Sequence, residues 1–213
     1  KNPLTPIQLT IDRLQSKYSD QISSDYKDNY KENLNIIKNQ INQIGSLVNE
    51  FSDFARMPKP TLKDNDLLIL LNENLNLLKK LDSKIIFELN SNLDKIIFNS
   101  DKEQLSRVFF NLIKNAIESI QQKNENNTNF IGKIAIEINK FNDNIIIKII
   151  DNGQGFEVLN NNIKDILNPY FTTKKNGTGL GLSIVNKIIN DHNGNIEFKP
   201  IKEGAEVKIL FNI

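Results

Sequence analysis

Asp151-Asn152-Gly153-Gln154-Gly155, followed across a polar stretch by Gly177-Thr178-Gly179-Leu180-Gly181-Leu182, decides how this chain is read. Glycine has no Cβ, so backbone at such places can come close to a bound phosphate, and two such patches around a polar loop suggest a nucleotide held under a lid. Asp-Asn-Gly alone also suits a hairpin turn. The second patch opens a helical pattern of Ser183, Ile184, Val185, Ile188 and Ile189. Its free amides and the positive end of the helix dipole would therefore face an anion.

Working outward, the segment from Asp101 to Gln122 carries Leu105, Val108, Phe109, Leu112, Ala116 and Ile120 on one face at about 100° per residue, the period of a helix with a buried side. Asn111, Asn115 and Glu118 stand at i, i+4 and i+7 and line one edge of that face. Magnesium takes hard oxygen ligands and keeps several waters, so one amide oxygen plus nucleotide phosphates can hold it, which makes Asn115 the candidate metal ligand.

Around these motifs the pattern predicts a helix at 66–80, strands at 84–89 and 95–99, and a hairpin of strands 133–141 and 144–151 whose Ile-rich second arm is central. A helix at 180–192 and strands at 195–199 and 205–211 follow. Helices on one face of a mixed sheet make an α/β two-layer sandwich. The stretch 154–176 is long and polar, as a mobile lid would be.

The N-terminal quarter has another period. Tyr30, Leu34, Ile37, Ile41, Ile44, Val48, Phe51 and Ala55 alternate spacings of four and three, the seam of a coiled coil or bundle. Leu4, Ile7, Ile11 and Leu14 repeat it over a shorter run, and a polar segment at 16–25 separates the two. This predicts an all-α helical hairpin whose second helix, 26–56, is roughly 46 Å long at 1.5 Å per residue. Met57-Pro58-Lys59-Pro60 ends that helix.

With 213 residues the chain is long enough for two small domains. A formal net charge of +1 and no basic stripe argue against nucleic acid as a partner. No cysteine is present, which fits a reducing cytoplasm. No run of about 18 uncharged apolar residues occurs, so no membrane contact is expected of this segment.

Together these residues resemble the Bergerat ATP-binding fold shared by sensor histidine kinases, gyrases, Hsp90 chaperones and mismatch-repair ATPases, over roughly residues 62–213. Asn111-Leu112-Ile113-Lys114-Asn115 resembles the N box, Asp151 to Gly155 the first glycine box, Gly177 to Leu182 the second, and Pro169-Tyr170-Phe171-Thr172-Thr173-Lys174 the motif inside the lid. The resemblance implies ATP and Mg2+ as cofactors. It implies that Asp151 accepts a hydrogen bond from the adenine amino group, that Gly153 and Gly155 are nucleotide-binding positions beside it, and that Asn115 binds magnesium. Gly177, Thr178, Gly179, Leu180, Gly181 and Leu182 would wrap the phosphates, with Thr172, Thr173 and Lys174 meeting them from the lid. Asn111 is both a nucleotide-binding and a catalytic position. Hydrolytic members carry a glutamate there that activates water, and an amide cannot take a proton, so transfer to another acceptor is favoured.

Lys1-Asn2-Pro3-Leu4-Thr5-Pro6 resembles the tail of the H box of nitrogen-regulation sensor kinases of the NtrY and NtrB type. That alignment puts the phosphoacceptor histidine three residues before Lys1, outside this segment, and puts Asn2 where a residue can orient the water that dephosphorylates a partner regulator. His192 reads as the end of a helix near a glycine cap rather than as a nucleophile.

The expected organisation is a dimerisation and phosphotransfer hairpin over 1–57, a linker at 58–61 and an ATP-binding domain over 62–213. The expected function is a histidine kinase core that forms a homodimer and passes its phosphoryl group to the aspartate of a response-regulator receiver domain. This segment is expected in the cytoplasm, with the full-length protein anchored in the bacterial inner membrane. The alternatives are a serine kinase of the anti-sigma-factor type and a nucleotide-gated interaction module without transfer chemistry.

Overall fold

In the computed structural model, which describes residues 4–80, 82–125, 130–156, 163–174 and 177–213, the N-terminal seam forms α2 (Ser24–Ala55) beside α1 (Leu4–Tyr18). The chain divides into two compact units, Lys1–Met57 and Pro58–Ile213.

Within the first unit the helices run antiparallel. Gln8 Nε2 donates to Asn42 Oδ1 at 2.8 Å, and the Tyr30 hydroxyl donates to the Leu14 carbonyl at 2.8 Å. Ile11, Leu34 and Ile41 are buried together, with Leu4 and Tyr30 packed on them. The rest of the seam behaves differently. Ile37, Ile44, Val48 and Phe51 are each about half exposed. Ile37 and Ile44 alternate along α2 with the buried Leu34 and Ile41 and so lie on the side of the seam that α1 does not cover, and Val48 and Phe51 lie past Gly45, where Leu4 meets α2.

The second unit opens with β1 (Lys63–Asp66), α3 (Leu67–Leu78), β2 (Ile86–Ser91), β3 (Ile97–Ser100) and α4 (Lys102–Glu125). The hairpin of β4 (Lys133–Phe141) and β5 (Asn144–Asp151) follows, and then α5 (Gly181–Asp191), β6 (Gly194–Pro200) and β7 (Ala205–Asn212). Five strands form a mixed sheet in the order β2-β4-β5-β7-β6, parallel only between β2 and β4. β5 is central, and its alternate residues Ile145, Ile147, Ile149 and Asp151 are buried.

Two details depart from the pattern read above. The strand at 95–99 forms as β3 but leaves the main sheet and pairs antiparallel with β1. β1, Lys-Asp-Asn-Asp, has no apolar alternation to announce it and is extended because β3 offers it a ladder. Its last residue, Asp66, then caps α3 by accepting the Leu68 amide at 3.0 Å.

Helix α4 packs between α3 and α5 over β4 and β5. All six apolar residues of its expected face are buried, and so are Ile113 and Ile117, because the neighbouring helices flank the stripe as well as the sheet. Residues 58 and 61 are held by the second unit. The Pro58 carbonyl accepts Gln104 Nε2 at 3.0 Å, and the Thr61 amide donates to Asp101 Oδ2 at 2.8 Å.

Candidate nucleotide site

Helix α4 carries Asn111, Asn115, Ser119 and Lys123 four residues apart, one stripe along one side of the helix. Each step advances about 6 Å.

At one end the Asn111 amide donates to the Arg107 carbonyl at 2.8 Å. A Cβ on Gly181 would meet Asn111 Oδ1 at 3.4 Å, so the start of α5 lies against the first asparagine. One turn on, Asn115 Oδ1 accepts from Lys174 Nζ at 2.8 Å, and the same ammonium is paired with Glu118. A lysine from the expected lid motif thus seats its cation on two oxygen-bearing side chains of α4. The Lys174 amide in turn donates to Thr172 Oγ1 at 3.1 Å, and the Gly177 amide closes the turn on the Lys174 carbonyl at 3.1 Å. Thr173 is exposed between them.

At the other end Ser119 and Lys123 meet the first glycine motif. The Gln154 amide donates to the Ser119 carbonyl at 3.2 Å, and Lys123 Nζ donates to the Asn152 carbonyl at 2.8 Å. Asn152 is bolted to the neighbouring chain as well, because its Oδ1 accepts the Lys133 amide at 2.7 Å and its Nδ2 donates to the Ile131 carbonyl at 2.9 Å. Asp151, at the end of the central strand, is buried and accepts the Gly153 amide at 2.9 Å. Burial pushes its carboxyl up to about 6, against the opposing effects of the Gly153 amide, the Ser119 hydroxyl and the Lys123 charge.

The glycines have protein reasons as well as the expected ligand one. A Cβ on Gly153 would fall 2.4 Å from Ser119 Oγ, and one on Gly155 would fall 2.4 Å from the Gly204 carbonyl oxygen. Gly179 has φ 71°, and its Cβ would sit 2.4 Å from the Tyr170 carbonyl carbon. The Tyr170 amide donates to the Gly179 carbonyl at 3.0 Å, tying the lid motif to the second glycine motif. Thr178 Oγ1 accepts the Leu180 amide at 3.3 Å as α5 begins, Leu180 is buried, and Leu182 is half-buried on the first turn.

The structure therefore gathers Asn111, Asn115, Asp151, Gly153, Gly155, Lys174 and Gly181 around one side of α4. Asn2 lies outside the described residues. Ser119 and Lys123 were missed in the sequence, although continuing the four-residue step from Asn115 would have found both. The left-handed residue after α5 is Asn193 (φ 55°) rather than the expected glycine, and Gly194 opens β6. Among the described residues no cluster of His, Cys, Asp or Glu could hold a metal by itself, and no helix is long and apolar enough to cross a membrane.

Residues 100–213 match the family described as histidine kinase-, DNA gyrase B-, and HSP90-like ATPase, and the chain belongs to that family. Residues 1–60 match the His Kinase A phospho-acceptor domain. Within this class the chain is similar to the nitrogen regulation protein NtrY of Azorhizobium caulinodans, at 35% identity over 96% of this chain and 26% of that protein. It is similar also to a putative NtrY-like sensor histidine kinase of Rickettsia felis, at 35% identity over 100% of this chain and 34% of that protein. The chain thus spans about a quarter to a third of these relatives' length. Among solved structures, the catalytic domain of histidine kinase ThkA shares 28% identity with a TM-score of 0.61, covering 71% of this chain and 95% of that one. ThkA in complex with the response regulator TrrA has the same fold over 98% of this chain and 57% of that one, with a TM-score of 0.69 at 24% identity.

Proposed function

We propose that this segment is the ATP-binding and dimerising part of a sensor histidine kinase, which moves the γ-phosphoryl group of ATP to a histidine and then to an aspartate of a response regulator. The observation that carries this is the stripe on α4. It offers amides at Asn111 and Asn115, beside the glycine turn that starts α5, with a buried carboxylate at Asp151 toward its other end.

Asn111 decides between transfer and hydrolysis. Its amide has no basic lone pair and already donates to its own helix, so it cannot deprotonate a water. Glu118, two turns further along α4, is engaged by Lys174. The residues suit phosphoryl transfer to an acceptor outside this site.

The ammonium seated on Asn115 Oδ1 supports the same oxygen as a magnesium ligand, since both cations seek a hard oxygen donor. Magnesium, when bound, would neutralise charge on the phosphates. Gly177, Thr178, Gly179, Leu180, Gly181 and Leu182 would surround the phosphates at the start of α5. Thr172, Thr173 and Lys174 would approach from the lid side, with Lys174 exchanging Glu118 for phosphate. Asp151, Gly153 and Gly155 would take the adenine. Asn2 would orient the dephosphorylating water.

The half-exposed seam of Ile37, Ile44, Val48 and Phe51 supports a homodimer through the helical unit. The ThkA complex with its response regulator supports a receiver domain as the second partner. We place this segment on the cytoplasmic side of an inner-membrane sensor, as the resemblance to NtrY supports.

The test is to incubate the full-length protein with radiolabelled ATP. An acid-labile, base-stable label is expected, the behaviour of phosphohistidine. An acid-stable label would favour a serine kinase, and rapid hydrolysis without any label would overturn the transfer reading.

A further inference from the structure

Ser119 lies one turn beyond Asn115 and is the point at which α4 meets the first glycine motif. Its hydroxyl donates to Asp151 Oδ1 at 3.4 Å and accepts the Gly155 amide at 3.3 Å, and its carbonyl accepts the Gln154 amide at 3.2 Å. Gly153 leaves no room for a Cβ between them, since one would fall 2.4 Å from Ser119 Oγ and 2.6 Å from its carbonyl carbon. Three consecutive residues of the turn are therefore set by one serine.

The consequence falls on Asp151. Among the described residues, its carboxylate receives both of its hydrogen bonds, from the Gly153 amide and the Ser119 hydroxyl, on Oδ1. Two donors on one oxygen fix the plane of the carboxylate and leave Oδ2 as its remaining acceptor. On the flanking strands Asp151 is registered with Ile134 and Ala205, which offer no charge, and among the described residues the charge that faces it from α4 is the ammonium of Lys123.

We propose that Ser119 is a specificity-determining positioning residue: by holding Asp151 Oδ1 it aims Oδ2 at the exocyclic amino group of a 6-aminopurine, and the site thereby selects adenine over a 6-oxopurine. A 6-oxo group would put a second acceptor against the carboxylate, and a buried acceptor without a donor discriminates strongly. This rests on the nucleotide reading above and extends it to a residue that touches Asp151 and not the phosphates.

The experiment is calorimetry of this chain with ATP and with inosine triphosphate, both with magnesium, for the wild type and Ser119→Ala. Alanine removes one oxygen from a helix position that favours it, and circular dichroism checks that the fold is kept. Wild type should prefer ATP. In the variant ATP affinity should fall about tenfold while inosine triphosphate changes by less than about twofold, so that the preference collapses. The pH midpoint of ATP binding should also move upward, because the hydroxyl that helps hold the Asp151 carboxylate ionised is gone. Equal losses for both nucleotides, or an unchanged preference, would overturn the proposal and leave the nucleotide reading standing. A wild type that binds neither nucleotide would overturn both.

Discussion

His192 accepts the backbone amide of Asp101 on Nε2 at 3.0 Å, joining the end of α5 to the residue that starts α4 across 91 positions of sequence. An amide can only donate, so Nε2 is the unprotonated nitrogen, and Nδ1 carries the hydrogen that it gives to the Ile188 carbonyl at 2.8 Å. Asp101 caps α4 with its own Oδ1, which accepts the Glu103 and Gln104 amides at 3.0 Å each. Burial would raise the Asp101 carboxyl, but those two amides and that of Thr61 hold it below its ordinary value. The two helices that carry the asparagine and second glycine motifs are thus pinned together away from the site.

His192→Ala should therefore destabilise the second unit by about 2–4 kcal/mol, through an orphaned buried amide and a void beside Phe98. Urea unfolding checks it, with His192→Gln, which keeps an acceptor, recovering part of the loss. An unchanged midpoint in the alanine variant would remove the clamp from this account. Both ring nitrogens being engaged in a buried site, no phosphoryl label should appear on His192.

Asp151 should make stability fall as pH rises. Its folded value of about 6 lies above the ordinary 3.8, so its contribution is complete below the unfolded value and is lost as pH rises through about 6. Asp151→Asn lacks this dependence. The variant should gain on the wild type by on the order of 2–3 kcal/mol between pH 4 and 7, while losing ATP affinity at pH 7. A stability difference that stays constant over that range would contradict the burial argument.

Asn115→Ala should cut the magnesium-dependent part of nucleotide binding on the order of tenfold and leave metal-free binding nearly unchanged. Titrations with and without magnesium separate the two. Equal loss in both would assign Asn115 to the nucleotide instead of the metal.

Gly179→Ala forces a left-handed residue to carry a Cβ against the Tyr170 backbone, and should cost about 1–3 kcal/mol as well as weaken nucleotide binding. Gly181→Ala is the control, since its Cβ would meet Asn111 Oδ1 at an ordinary 3.4 Å. Its melting temperature should stay near that of the wild type. If both variants melt alike, backbone strain at Gly179 is not the cause.

Ile44→Glu together with Val48→Glu should turn a dimer into a monomer in light scattering without unfolding the hairpin, because the core of Ile11, Leu34 and Ile41 is untouched. A variant that stays dimeric would place the interface elsewhere.

Periodicity made much of this legible. The buried face of α4, the β4–β5 hairpin and the seam of α2 are local repeats, and burial enforces them because a slip of one residue would turn apolar side chains to water. The motifs at Asn111–Asn115, Asp151–Gly155 and Gly177–Leu182 are local as well, so composition and spacing alone could mark them. What the sequence could not determine were pairings between distant residues. β1 is a strand only because β3 lies beside it, the α2 seam is half bare where its residues face away from α1, and Asn193 turns left where a glycine was expected. Lys174 on Asn115 and Glu118, Ser119 on Asp151, and His192 on Asp101 join residues 32 to 91 positions apart. Such contacts are chosen by the packing of whole elements, which no local pattern encodes, and they decide where the carboxylate, the amides and the lid lysine point.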